Sequence, residues 1–86
     1  MPEICRFLGI VVKMFVDEHN PPHFHVFYGE YEALIEIDGL SIFAGNLPPR
    51  VVGLVLEWAT IHQRELQKDW ERAQNHQPLV RIEPLQ

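Results

Sequence analysis

The sequence predicts an α+β fold in which an antiparallel meander of three to four strands is covered on one face by one long helix. Two observations predict this class. β-branched and aromatic residues alternate through the first half of the chain, and apolar residues recur at helical spacing through the second half. The length of 86 residues, of which 47% are hydrophobic, suits one domain with a modest core. Residues 1–86 are therefore expected to form a single two-layer domain.

The strands are predicted from apolar runs and from the turns between them. The first is expected over residues 7–16, ahead of Pro21 and Pro22, which have no backbone N–H to donate to a neighbouring strand. Gly29 and Glu30 suit a two-residue hairpin turn between residues 23–31 and 32–38, with Gly29 at a positive φ. In that register, His23 lies opposite Glu36. A short fourth strand is expected at residues 41–44.

The alternation within this hairpin sorts its side chains onto two faces, because successive residues of a strand point in opposite directions. The face expected to be the core carries Phe24, Val26, Tyr28, Tyr31, Ala33, Ile35 and Ile37. The opposite face carries His23, His25, Phe27, Glu32, Leu34 and Glu36.

The helix is expected to begin after Leu47, where prolines are tolerated in the first turn, and to end near Asn75 and His76. Apolar residues at helical spacing form its buried face: Val55, Trp58, Ala59, Leu66, Trp70 and Ala73. Residues 79–82 are expected to form a short C-terminal strand.

Charge and cysteine content limit the function classes. The formal net charge is −5, with 7 Lys and Arg against 12 Asp and Glu, and no basic cluster that would bind a nucleic-acid backbone. No apolar run approaches the roughly 20 residues that cross a bilayer, and the first residues do not resemble a signal peptide. Cys5 is the only cysteine, which excludes an intrachain disulfide. We expect a cytoplasmic protein that does not bind membranes, and the negative charge favours a basic protein partner over a nucleic acid.

Two histidines are the main candidates for metal binding or acid–base catalysis. His23 and His25 lie two residues apart on a predicted strand, so their imidazoles point the same way about 7 Å apart at the backbone. The pair could chelate a divalent metal with Glu36 or His19 as a further ligand, or act as a general acid and base. The alternative is an ordinary cross-strand contact between His23 and Glu36. Apart from such an ion, no cofactor is expected.

The first half of the predicted helix is apolar almost all round, whereas a helix on the surface of a monomer normally has a polar outer side. Leu54 and Ile61, with Trp58 beside them, are therefore predicted to form a protein–protein contact. The partner would be a second copy of the chain or another small protein. The alternative is that residues 79–82 or the first strand cover these side chains.

Several segments resemble a bacterial family known as domain of unknown function 4160: MPEICRFLGI at residues 1–10, HNPPHFHV at 19–26, YGEYEA at 28–33, LVLEWA at 54–59 and IEPL at 82–85. The resemblance implies a short protein encoded beside a second small protein, similar to toxin–antitoxin or regulator pairs. It also implies functional positions at His19, Asn20, Pro21, Pro22, His23, His25, Tyr28 and Gly29.

Two functions remain open from the sequence. The first is a non-enzymatic interaction or regulatory module, similar to a toxin–antitoxin component, that acts through protein–protein contact. The second is a small hydrolase or ribonuclease, with or without a metal, in which His23, His25 and Glu36 are the catalytic candidates. The negative charge and the missing basic cluster favour the first.

Overall fold

The computed structural model describes residues 3–86, which form a five-stranded antiparallel sheet followed by two helices. The strands are β1 (Glu3–Phe7), β2 (Ile10–Lys13), β3 (His23–Tyr28), β4 (Tyr31–Glu36) and β5 (Ile42–Asn46). Each strand pairs with its neighbours along the chain, in the order β1-β2-β3-β4-β5. The predicted α+β class and the meander are confirmed, but the sheet has more strands than the three to four predicted.

The additional strand comes from the N-terminal apolar run. The single strand predicted over residues 7–16 is wrong, because a tight turn at Leu8 and Gly9 separates β1 from β2. Both residues have a positive φ, 50° at Leu8 and 79° at Gly9. A leucine rarely adopts this left-handed conformation, so residue type gave no indication of a turn at Leu8.

The hairpin of β3 and β4 has the predicted register. His23 pairs with Glu36, and Tyr28 pairs with Tyr31 across the turn. Gly29 has φ +56°, as the turn requires of its first central residue. This register fixes which side chains share a face with His23, so it positions the candidate site.

The second half of the chain forms α1 (Pro49–Ile61) and α2 (Gln63–Gln74) in place of the one long helix predicted. The helix is interrupted at His62, whose φ of −111° departs from helical geometry. Backbone hydrogen bonds from His62 N to Trp58 O and from Leu66 N to His62 O still span the interruption. Within residues 3–86, no helix is long and apolar enough to cross a membrane.

The core lies between the helices and one face of the sheet. The Trp58 ring on α1 is 5.9 Å from the Phe7 ring and 6.0 Å from the Phe24 ring, centroid to centroid. The predicted helix and sheet residues belong to one buried cluster, among them Val26, Ile35, Ile37, Leu66 and Trp70. Tyr31, which was predicted on the core face, is 38% exposed at the hairpin end.

The segment after α2 crosses the domain without regular secondary structure, so the predicted strand at residues 79–82 is wrong. Within residues 3–86, one backbone hydrogen bond, from Ile82 N to Ile4 O, joins this segment to the sheet. The other fixed points are side chains: Val80 N donates to the buried Asp69 carboxylate, and the Trp58 indole donates to Glu83 O. The segment is therefore anchored at separate points and does not form a ladder.

Candidate metal centre

Two histidines and one glutamate converge where β3 begins. His23 and His25 are the first and third residues of β3, so they lie on the same face of the strand. Glu18 lies in the irregular segment between β2 and β3, and this segment folds back over the start of β3. One ligand atom from each of the three residues lies within 4.8 Å of the other two. We call these three residues the His–Glu cluster.

The imidazoles present the same nitrogen to the carboxylate. His23 Nε2 lies 3.2 Å from Glu18 Oε1, and His25 Nε2 makes a short contact with the same oxygen. The two rings are 5.3 Å apart, centroid to centroid. Two imidazole nitrogens and one carboxylate oxygen are thereby brought together at one place, as the ligands of a metal ion would be.

The other ring nitrogen of each histidine faces an acceptor. His23 Nδ1 lies 2.7 Å from Pro21 O, and a carbonyl oxygen only accepts, so Nδ1 carries the hydrogen. His25 Nδ1 has a longer contact, 3.5 Å, with the Glu32 carboxylate on β4. Metal-binding histidines normally donate their second N–H to a carbonyl or carboxylate, which orients the ring and leaves Nε2 for the metal.

Aromatic rings surround the imidazoles. His23 is 5% exposed and lies against Phe43 of β5 and Trp70 of α2, each 5.4 Å away between ring centroids. His25 contacts the edge of Phe15 and stacks with Phe27. These neighbours hold both imidazoles in place and exclude water from their sides, so little conformational entropy remains to be lost on binding.

Glu18 is suited to be an anionic ligand. Partial burial acts to raise the pKa of Glu18, but the hydrogen bond and charge of His25 and the charge of His23 outweigh it and lower the pKa below its ordinary value. The carboxylate is therefore ionised at neutral pH. Its side chain retains 29% exposure, so the cluster is reachable from solvent.

This donor set fits a divalent transition metal. Zn²⁺ takes imidazole nitrogen and carboxylate oxygen at about 2.0–2.2 Å in tetrahedral geometry. Three protein donors leave one position of such an ion open, which is the arrangement of catalytic zinc sites and not of closed structural ones. A metal at this position would polarise a water or substrate oxygen as a Lewis acid.

The carboxylate beside the two histidines differs from the one predicted. Glu36 does pair with His23 in the sheet, but the carboxylate that meets both imidazoles belongs to Glu18. His19, the other predicted ligand, is exposed and contributes no atom to the cluster. Glu18 escaped prediction because it lies in a segment without periodicity, where sequence spacing does not predict direction. Its position beside the histidine-rich segment 19–25 is the signal that could have identified it.

Of the remaining positions implied by the family motif, Pro21 contacts His23 through its carbonyl oxygen, whereas Asn20 and Tyr28 contribute no atom to the cluster. Asn20 is exposed and precedes a cis peptide bond to Pro21. Tyr28 ends β3, about 16 Å along the strand from His23. It lines a different cleft, together with Leu8, Ile10, Arg50, Val51 and Leu54. The motif therefore spans both ends of one strand.

The helix residues predicted to form a protein–protein contact do not lie together on one surface. Trp58, predicted as an interface residue, is fully buried in the core and presents no surface to a partner. Leu54 is half-buried beside Tyr28, whereas Ile61 is 63% exposed at the end of α1. Leu54 and Ile61 line two different clefts and not one patch.

The chain belongs to a known family. The model of the family described as Domain of unknown function (DUF4160) matches residues 9–71 of the 86, which include all of the His–Glu cluster. The resemblance noted from the sequence is thereby confirmed. No curated protein and no solved structure matches the chain.

Proposed function

For this member of the family, we propose that Glu18, His23 and His25 bind one divalent transition metal ion, best fitted by Zn²⁺, and that the protein is a small metal-dependent hydrolase. The observation that carries the proposal is the convergence of two Nε2 atoms on one carboxylate oxygen. The metal-dependent alternative from the sequence is thus retained, with Glu18 in the place of Glu36.

The surroundings of the cluster support binding over an ordinary ion pair. A buried ion pair adds little net stability, because desolvation of the charges offsets their attraction. The orienting contacts at both Nδ1 atoms serve a metal site directly, since they leave the Nε2 atoms free as ligands. Without a metal, His23 Nε2 can donate to Glu18 only as part of an imidazolium. A cation at the centre of the cluster would take the place of that proton.

The proposed hydrolytic activity depends on the coordination position of the metal that the three protein ligands leave open. Three protein donors leave room for a water on a tetrahedral ion, and the exposed side of Glu18 gives access from solvent. We place this activity in the cytoplasm. Cys5 is buried, and burial raises the pKa of its thiol, so an unreactive free cysteine is consistent with a reducing compartment.

Isothermal titration of the chelator-treated protein with zinc chloride tests the metal site. One site per chain is expected. His25→Gln and Glu18→Gln should each weaken binding by at least about 100-fold, and Glu32→Gln by about 10-fold through loss of an orienting contact. His19→Gln is the matched control and should bind as the natural chain does. Equal affinity in a His23→Gln, His25→Gln double variant would refute the site.

A second assay separates binding from catalysis. Zinc-loaded protein should hydrolyse p-nitrophenyl acetate or bis(p-nitrophenyl) phosphate above the rate of free zinc, and Glu18→Gln should abolish the excess rate. If zinc binds at the cluster and neither ester is cleaved faster, the hydrolase proposal fails and the metal has a structural role.

A further inference from the structure

An apolar cleft lies between the end of α1 and the C-terminal segment. Its volume is about 460 Å³, and it is lined by Glu57, Ile61, His62 and residues 83–86. We call it the tail cleft. It shares no residue with the His–Glu cluster, so what it binds is a separate question from the proposed metal chemistry.

The wall formed by the C-terminal segment is held in place. The Trp58 indole donates to Glu83 O at 2.8 Å, and Ile82 N donates to Ile4 O at 2.8 Å. Ile82 itself is buried in the core. These bonds fix residues 82 and 83 where the segment meets α1, so this part of the wall needs no ordering when a ligand binds.

The lining of the tail cleft combines apolar and acidic side chains. Ile61, which is 63% exposed, provides apolar surface together with Pro84 and the half-buried Leu85. Glu57 and Glu83 are exposed, and no Lys or Arg is among the lining residues. An apolar lining with two carboxylates complements an apolar side chain flanked by positive charges.

We propose that the tail cleft binds a basic segment of a partner protein, in which an aliphatic or aromatic side chain is flanked by Lys or Arg. The apolar side chain would cover Ile61, and the flanking cations would pair with Glu57 and Glu83. A second copy of this chain is the less suitable occupant. In a symmetric dimer the same patch meets itself, which would bring Glu57 and Glu83 of both copies together. The net charge of −5 also favours a basic partner.

The probe is a fluorescein-labelled peptide of leucines and lysines, measured by fluorescence anisotropy against the complete chain. It should bind with one site. Ile61→Ser should weaken binding at least about 10-fold, whereas Val80→Ser, at a residue 53% exposed elsewhere, should have no effect. A peptide with glutamate in place of each lysine should not bind.

A pair of double variants distinguishes the cleft from general charge attraction. Glu57→Gln, Glu83→Gln should weaken binding about 10-fold. Glu30→Gln, Glu71→Gln removes the same charge from exposed positions outside the cleft and should leave binding unchanged. Equal losses in the two double variants, or no saturable binding of the lysine peptide, would overturn the proposal. Self-association of the natural chain in sedimentation, reduced by Ile61→Ser, would identify a second copy as the occupant and overturn it as well.

Discussion

The two faces of β3 are covered in different ways. Phe24 and Val26 point into a core that the helices cover, and neither side chain has any exposed surface. His23 and His25 point the other way and are enclosed by Glu18, by scattered aromatic rings and by one backbone carbonyl. The first face is stabilised by the burial of apolar surface, and this stabilisation does not depend on the direction of individual contacts. The second depends on individual contacts, as expected for a site that binds a ligand.

The largest expected difference between the faces is in stability. Trp58→Ala removes a fully buried ring and the indole donor to Glu83, and should lower the free energy of unfolding by about 3–5 kcal/mol. Phe43→Ala, on the histidine side, removes a ring that is 46% exposed and should cost about 1 kcal/mol. Urea unfolding of both variants measures the contrast. Similar losses would show that the two faces contribute equally to the fold.

Alanine substitutions at two glycines, Gly45 in the edge strand β5 and Gly29 in the hairpin turn, test how firmly β5 is held against β4. A Cβ at Gly45 of β5 would lie 2.2 Å from the Glu32 carbonyl oxygen, and φ there is +75°. A Cβ at Gly29 would meet nothing within 4 Å, although φ is +56°. Gly29→Ala should therefore cost about 1–2 kcal/mol of unfolding free energy, from backbone strain alone.

Gly45→Ala should cost clearly more than Gly29→Ala, because β5 must also move away from β4. That movement would displace Phe43, which covers His23. Thermal unfolding of the two variants shows which substitution causes the larger loss of stability. A smaller loss for Gly45→Ala would mean that β5 tolerates displacement and does not fix the histidine side.

The smallest expected effect concerns the N-terminal edge of the apolar core. The Arg6 guanidinium hydrogen-bonds Glu3, and with Arg81 it lowers the pKa of Glu3 from 4.5 to about 2. A depressed carboxyl pKa gives stability that is present above pH 4.5 and is lost as the pH falls towards 2.

The stability difference between the natural chain and Glu3→Gln should therefore shrink between pH 6 and pH 3. The Arg6→Gln, Arg81→Gln double variant should lose the same pH-dependent component. Urea midpoints at the two pH values provide the measurement. A difference that stays constant with pH would show that these surface pairs contribute nothing to folding.

Local rules predicted the register of the hairpin correctly. Gly29 and Glu30 predicted the position of the turn, and that position places His23 opposite Glu36, as the structure has it. The interruption at His62 was missed, because no Gly or Pro marks it and the apolar spacing continues across it. Glu18 was missed for a related reason. The direction of an irregular segment is set by tertiary contacts, here the two imidazoles, and not by residue spacing.

The central claim is that Glu18, His23 and His25 bind one metal ion. The most direct test is an anomalous-difference map at the zinc edge, from crystals of the protein grown with one equivalent of zinc. The account predicts a single strong peak about 2.0–2.2 Å from His23 Nε2, His25 Nε2 and a Glu18 carboxylate oxygen. A map with no peak among these three atoms, or with zinc held only by residues outside the cluster, would contradict it.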